Sequence, residues 1–430
     1  MNYILQIGEG NFLRAFVEDY IQQTDDYRVY VCQPRTNIKI INALKQQNCQ
    51  YDIISRGRLN GSVINERKHI DCIENAFDTV TEHDKIAKAF CNDNLKIVIS
   101  NTTEAGICFD DRDKFEQFPA VSFPAKLAVL LYKRYKNGNT PLVIMPCELI
   151  ENNGDELKKC ILKYAQLWNL GSGFEAYVNS CDFCNTLVDR IVTGHIENDT
   201  DPCSVACEPY KSWVISACEH AKTVIPFKGV TYTDNIASYR LRKVRILNGV
   251  HTMSVLAGYM CSIDIVRDMV NDELFSRYIA LGLDEIKSTL TVECDDFASS
   301  VLERFNNPFI DHKLYDIALN SVSKFKARCL GTILDYYNKN NRLPKILTFS
   351  LAALIAYYLK LGDREYELRD SAEVLEFFTS SPSVQDILSN TEFWEMNLTQ
   401  IDNFENTVSQ YVEKIKNNGM KNAINEVVYE

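Results

Sequence analysis

Three residues in the stretch KVRILNGVHT carry groups that move protons and hold oxygen: Lys243, Asn248 and His251. On a regular α-helix, at about 100° per residue, they fall at roughly 0°, 140° and 80°, within one broad face. A lysine in a desolvated pocket can have its pKa lowered and exchange a proton near neutral pH. An amide donor beside it can steady an alkoxide or polarise a carbonyl. A histidine can hold a substrate hydroxyl. The same spacing also fits a surface lysine, a helix-capping asparagine and a core histidine, and spacing alone does not separate the two.

Two further segments are candidates. In FCNTLVDRIV, Asn185 offers a second amide donor, while Asp189 and Arg190 are expected to form structural ion pairs. SNTTEAGI ends a strand-like run, and polar residues at the C-terminal edge of a parallel sheet face the ligand crevice. Asn101, Thr102, Thr103 and Glu104 are therefore candidate ligand contacts, or else Thr102 or Thr103 caps a helix. Cys181, Cys184, Cys203 and Cys207 approach a zinc spacing, C-x2-C-x18-C-x3-C. The segment around the first pair is apolar and unlike a zinc knuckle, and fifteen cysteines make a chance spacing easy, so no metal is expected.

These residues need a frame. ILQIGEGNFLRAF supplies its start: Ile4, Leu5 and Ile7 read as a strand, Gly8 to Asn11 as a turn, and the rest as a helix. Such a turn leaves backbone N–H groups free at the helix N-terminus, where they and the helix dipole hold a pyrophosphate. Gly8 permits the tight turn and Gly10 lets phosphates approach. Leu13 stands where a third glycine is usual. Ile7, Gly8, Glu9, Gly10, Asn11 and Phe12 are the expected nucleotide contacts. An acid is expected at the end of the second strand to bond a ribose hydroxyl. Here that strand runs into Cys32, Gln33, Pro34 and Arg35. Gln33 could bond a hydroxyl and Arg35 a 2′-phosphate, so the residues leave NAD and NADP both open.

Strand-like runs at residues 3–7, 28–32, 96–100 and 142–145 alternate with helical patterns such as 14–22 and 39–46. This alternation predicts an α/β fold with a parallel sheet covered by helices. Residues 51–73 read as a hairpin within that domain. Beyond about residue 235, patterns of helical period dominate, at 274–286, 314–338 and 346–359. The expected division is residues 1–234, a Rossmann-type doubly wound domain, then 235–430, a mainly α-helical domain.

The chain has 430 residues, 46% of them hydrophobic, with a formal net charge of -12. That balance disfavours nucleic acid as a partner, since phosphate backbones demand a Lys/Arg excess. Residues 346–359 are apolar but too few to span a bilayer comfortably, so no membrane association is expected. Met1 runs directly into the first strand, and a cytoplasmic, reducing location with free thiols is the expectation.

GEGNFLRAF, SNTTEAGI, CNTLVDRIV and K-x4-N-x2-H occur in the order found in the polyol-specific long-chain dehydrogenases, and the chain resembles this mannitol dehydrogenase family over nearly its whole length. NFLRAFVEDYI, VISNTTEAGI, MPCELIENNG and ALNSVSKFKARCL are closest to a branch acting on keto sugar acids. The resemblance implies a Rossmann-type domain, a helical domain and metal-independent hydride transfer with NAD (NADH), NADP not being excluded. It implies Lys243 as general acid/base, Asn185 and Asn248 as amides holding the reacting oxygen, and His251 as the group orienting a substrate hydroxyl. The implied substrate is a small keto sugar acid or its aldonate. Its carboxylate needs a cation, for which Lys324, Lys326 and Arg328 are candidates against a plain solvated helix face. Three departures stand out: Leu13 stands in place of the third glycine, as is common in the family, Thr193 replaces the proline or serine that often ends the VDRI motif, and the ribose acid is missing. Sister activities on another stereoisomer or a neutral polyol are the nearest alternatives, and an idle nucleotide-binding regulator is a more distant one.

Overall fold

The computed structural model describes residues 1–33, 37–115, 121–362 and 364–429. They form two compact units: Met1–Gly57 with Ile64–Ile236, and Ala237–Glu430 with the short segment Arg58–Val63.

The first unit is built on six parallel strands. Side by side they run Ile73–Phe77, Tyr27–Cys32, Asn2–Ile7, Leu95–Ser100, Val143–Pro146 and Asp182–Phe183. Numbered along the chain, that order is 3-2-1-4-5-6, the doubly wound Rossmann arrangement. Successive residues point to opposite faces. Ile4, Ile97 and Val143 thus enter one core with Phe16 and Tyr20 of the helix Asn11–Ile21. Leu5, Val98 and Ile144 enter the other core, with Leu127 of Phe123–Lys136 and Leu157 of Asn153–Leu167. Burial on both faces is why these strands read as nearly unbroken apolar runs.

The hairpin expected at residues 51–73 forms, as Tyr51–Leu59 and Ser62–Ile70, but it does not join the parallel sheet. It pairs instead with Val192–Gly194 and Val205–Cys207 in a separate four-stranded sheet. Its turn is Asn60–Gly61, both at positive φ (51° and 78°), the conformation that Asn-Gly adopts most readily.

The second unit is helical. Its central helix, Lys345–Tyr358, is buried from Ile346 to Tyr358, as an all-round apolar helix must be. Gly249–Met260, Glu273–Lys287 and Phe404–Asn418 pack around it. No helix among the described residues is long and apolar enough to cross a membrane. The single helical run expected at 314–338 is broken. It divides into Leu314–Ile317, Ser321–Phe325, a π-turn Lys326–Leu330 and Gly331–Asn340. Asn320 makes the break by adopting a left-handed conformation (φ 55°, ψ 46°), which asparagine tolerates better than most residues.

Glu285 caps the central helix, accepting from the Ile346 and Leu347 N–H groups at 2.9 Å each. Burial pushes its carboxyl up to about 7 against the opposing pull of those hydrogen bonds. Between about pH 4.5, its unfolded value, and about pH 7, the folded chain holds a proton that the unfolded chain has lost. Stability contributed here should therefore fall as pH rises through that window, by up to about 3 kcal/mol. Glu285→Gln should flatten the slope of melting temperature against pH over this range. A variant whose melting temperature tracks the wild type at every pH would contradict this.

Candidate active site

The turn from Gly8 to Asn11 is tight, and sterics demand its first glycine. Gly8 sits at φ 126°, and a Cβ there would lie 2.8 Å from Leu13 Cδ1 and 2.9 Å from the Asn101 backbone oxygen. Leu13, in the third-glycine position, is buried beneath the turn. Gly10 is the N-cap of Asn11–Ile21, and no side chain caps that helix. A Cβ at Gly10 would meet nothing within 4 Å, so open space lies beside the N-terminus of this helix. Arg14, not singled out from the sequence, is buried in the first turn and donates to Asn11 Oδ1 at 2.6 Å.

The two glycines should therefore fail differently. Gly8→Ala meets both backbone strain and a clash and should destabilise the first unit. Gly10→Val should leave the melting temperature near that of the wild type but abolish stabilisation by added NADH. Undiminished stabilisation of Gly10→Val by NADH would displace the phosphates from this turn.

Gln33 is fully buried and donates to Asp78 Oδ1 at 3.0 Å, while its Oε1 has no partner. Asp78, at the end of the neighbouring strand, was not legible as a partner. Burial works against its ionisation, but hydrogen bonds from Thr81, the Val80 N–H and Gln33 outweigh this and lower its pKa. Arg35, the candidate for a 2′-phosphate, lies outside the described residues.

The segment after Leu95–Ser100 is the next strand end along the sheet. Asn101 Nδ2 donates to Cys147 O at 3.0 Å. Thr102 is buried, its N–H and hydroxyl both committed to Glu148. Thr103 and Glu104 are exposed and open a short 3-10 turn, Glu104–Gly106. Asn185 opens the strand Asn185–Asp189; its Oδ1 accepts from the Asp155 N–H at 3.1 Å and its Nδ2 donates to Asp155 Oδ2 at 2.8 Å. In this structure both ends of that amide are engaged at the start of Asn153–Leu167. Arg190 does form a structural ion pair, with Asp19 at 2.8 Å.

In the second unit, Lys243 ends the helix Ile236–Lys243, and a π-turn, Val244–Asn248, leads into Gly249–Met260. The regular helical angles expected for Lys243 and Asn248 therefore do not hold. An i→i+5 turn is wider and brings residues five apart nearer one line than the roughly 140° of an α-helix. Such turns occur often at functional sites. The second π-turn, Lys326–Leu330, packs against the first. Gly249 permits the approach, since a Cβ there would lie 3.4 Å from the Arg328 backbone oxygen. The Asn248 carboxamide makes no hydrogen bond to the described residues, which leaves it available to a ligand.

His251 stacks on Phe305, with ring centroids 4.0 Å apart, and meets His312 edge-on at 5.4 Å. Its Nε2 is buried and unpartnered. Burial first, then the charges of His312, Arg328, Arg304 and Lys324, hold the imidazole well below its usual pKa, so it is neutral near pH 7. Arg328 Nη1 reaches Thr252 Oγ1 at 3.3 Å, and Lys324 Nζ donates to Ile317 O at 2.9 Å. Burial lowers the pKa of both cations. Lys326 does not join them: it pairs with Glu395 at 2.9 Å. Arg304 and His312 were missed in the sequence because nothing in the spacing ties them to His251.

Cys184, Cys203 and Cys207 pack in one core of the first unit and Cys181 in the other. Burial pushes the four thiols up to about 11 or 12, so they remain protonated. Among the described residues no group of three or more His, Cys, Asp or Glu is placed to hold a metal.

Residues 2–229 match the mannitol dehydrogenase Rossmann domain and residues 235–416 the mannitol dehydrogenase C-terminal domain. The chain is similar to an altronate oxidoreductase of Bacillus subtilis (strain 168), at 36% identity over 98% of this chain and 94% of the relative. It is 35% identical to an altronate oxidoreductase of Phocaeicola vulgatus, over 99% of this chain and 96% of the relative. Among solved structures, D-sorbitol dehydrogenase in substrate-free form has the same fold, with TM-score 0.82 and 18% identity, covering 98% of this chain and 94% of that one. So does Pseudomonas fluorescens mannitol 2-dehydrogenase, solved as a ternary complex with NAD and D-mannitol (TM-score 0.67, 20% identity, 100% and 94% covered).

Proposed function

The chain belongs to the mannitol dehydrogenase family, and on that premise we propose that it is an NAD-dependent oxidoreductase interconverting D-tagaturonate and D-altronate. Likeness to altronate oxidoreductases over almost the full length of both chains supports the activity. The observation that carries a sugar acid over a neutral polyol is the gathering of cations around His251.

Residues 1–234 are the dinucleotide-binding part and 235–430 the substrate part. The cradle at Gly8 and Gly10 takes the diphosphate, with Ile7, Glu9, Asn11 and Phe12 around it. Residues 101–104 and Gln33 serve the flanking nucleosides. Bound NADH supplies a hydride for the ketone carbon. Lys243, protonated, gives its proton to the oxygen as the C–O bond becomes an alcohol. Asn248 donates to that oxygen while negative charge builds on it. Asn185 is assigned the same role by family likeness, although its donor is held by Asp155 here. Neutral His251 accepts from or donates to a substrate hydroxyl. Lys324 and Arg328 face the carboxylate. In the reverse direction Lys243 takes the alcohol proton. The small-molecule substrate and net acidic charge fit a cytoplasmic enzyme with no nucleic-acid partner.

The test is NADH oxidation against a panel of D-tagaturonate, D-fructuronate and D-fructose. Tagaturonate should give the highest kcat/KM. Preference for fructose would reject the sugar-acid reading, and preference for fructuronate would move the chain to a sister activity.

A further inference from the structure

Glu148 lies two residues beyond the strand Val143–Pro146 and is 2% exposed. A buried carboxyl is costly unless its oxygens are used. Here both are. Oε1 accepts from the Thr102 N–H and the Thr102 hydroxyl, each at 2.9 Å, and Oε2 accepts from Ser100 Oγ at 3.0 Å. The backbone of Glu148 is itself anchored, because Asn153 Nδ2 donates to Glu148 O and to Pro146 O at 3.0 Å each. The Cys147 N–H donates to Ser100 O at 2.7 Å. Two strand ends are thereby tied together through one side chain.

What they hold is strained. Thr103 has φ 90° and ψ 163°. A β-branched residue rarely adopts a positive φ, and such strain persists only where the surroundings impose it. The location gives the strain a purpose. Leu95–Ser100 and Tyr27–Cys32 flank Asn2–Ile7 on opposite sides, so the strand order reverses there, and a dinucleotide lies across such a crevice. One nucleoside half then falls beside the end of Tyr27–Cys32, and the other beside residues 100–104. The Asn101 backbone oxygen also lies where a Gly8 side chain would be, so this segment rests directly on the phosphate turn.

We propose that Glu148 is a positioning residue of the nucleotide site: through Ser100 and Thr102 it fixes residues 100–103 in the strained turn against which the nicotinamide half of the dinucleotide rests. The proposal rests on the NAD-dependent reading above. Glu148 itself touches no reacting atom and acts only through these contacts. Burial raises its carboxyl pKa, against the hydrogen bonds from Thr102 and Ser100.

Two variants separate reach from charge. E148Q keeps the length: its amide oxygen can accept both Thr102 bonds, and the Ser100 hydroxyl can turn to accept from the amide. E148D keeps the charge but is one methylene short and cannot span both partners. Fluorescence titration should find the NADH Kd of E148Q within about threefold of wild type. That of E148D should be weaker by roughly tenfold or more, with the KM for the keto acid unmoved. A role through charge would give the opposite ranking. A role in general stability would shift both substrate constants and the melting temperature together. E148D binding NADH as tightly as the wild type overturns the proposal. If neither variant folds, hydrogen exchange on the wild-type chain decides: NADH must slow exchange of the peptide amides of residues 102–104, and unchanged exchange overturns the proposal. A wild-type chain that does not bind NADH at all removes the dinucleotide reading as well, whereas binding without these effects removes the role of Glu148 alone.

Discussion

Lys243→Ala should lower turnover by roughly 10²- to 10⁴-fold, the usual share of general acid/base catalysis. The lysine stands at the junction of Ile236–Lys243 and the π-turn that carries Asn248. Removing its ammonium leaves the developing alkoxide with an amide donor but no proton. That interaction is made most strongly in the transition state, so kcat and kcat/KM should fall together. NADH should still raise the melting temperature by mass action, because the glycine turn belongs to the other compact unit. Lys243→Arg should be nearly as impaired: a guanidinium keeps the charge but does not release a proton. An alanine variant with near-wild-type turnover would remove Lys243 from the proton transfer. Lost nucleotide binding in the same variant would instead point to a misfolded chain.

Arg328→Leu should raise the KM for the keto acid by roughly 10²-fold, the scale of losing one partner of a desolvated, hydrogen-bonded charge pair. Arg328 is half-buried, with its guanidinium on Thr252, next to His251 in the chain. Lys324 lies beside it, and a carboxylate arriving there finds cations already desolvated. Lys324→Met should act in the same direction. Lys326→Met should leave KM unchanged, since that ammonium is paired with Glu395. Any weak activity on a neutral ketose should not fall in Arg328→Leu. Equal loss on acid and neutral substrates would mean that Arg328 shapes the pocket rather than recognising the carboxylate.

Much of the frame was legible because its signals are local. The parallel strands announce themselves as apolar runs, and Asn60–Gly61 as a hairpin turn. Gly8 and Gly10 mark a turn whose backbone could be argued from residue type alone. The site was legible only in part. Lys243, Asn248 and His251 could be picked out as candidates by residue type and family motif, though spacing alone left them open, and the π-turn between the first two was not legible. It packs against a second π-turn, with Arg328 O close to Gly249, some eighty residues away in sequence. The helical period around residue 320 was equally misleading, because a left-handed Asn320 leaves the apolar pattern almost intact while ending the helix. Lys326 looked equivalent to Lys324 and Arg328 in one basic cluster, yet Glu395 claims it. Glu148, Asp78, Arg304 and His312 were invisible because their partners are distant in the chain. Asn185 was read as a donor from its type, and only the fold reveals Asp155 at its amide.

The most direct measurement follows the transferred hydrogen. The chain is given D-tagaturonate and NADH deuterated at the transferable position of the nicotinamide, and the product is examined by NMR. The account predicts D-altronate carrying one deuteron, bonded to the carbon that was the ketone, with turnover slowed by the label wherever hydride transfer limits the rate. Oxidation of labelled NADH with no deuterium at that carbon, or with the label delivered elsewhere on the sugar acid, would contradict it.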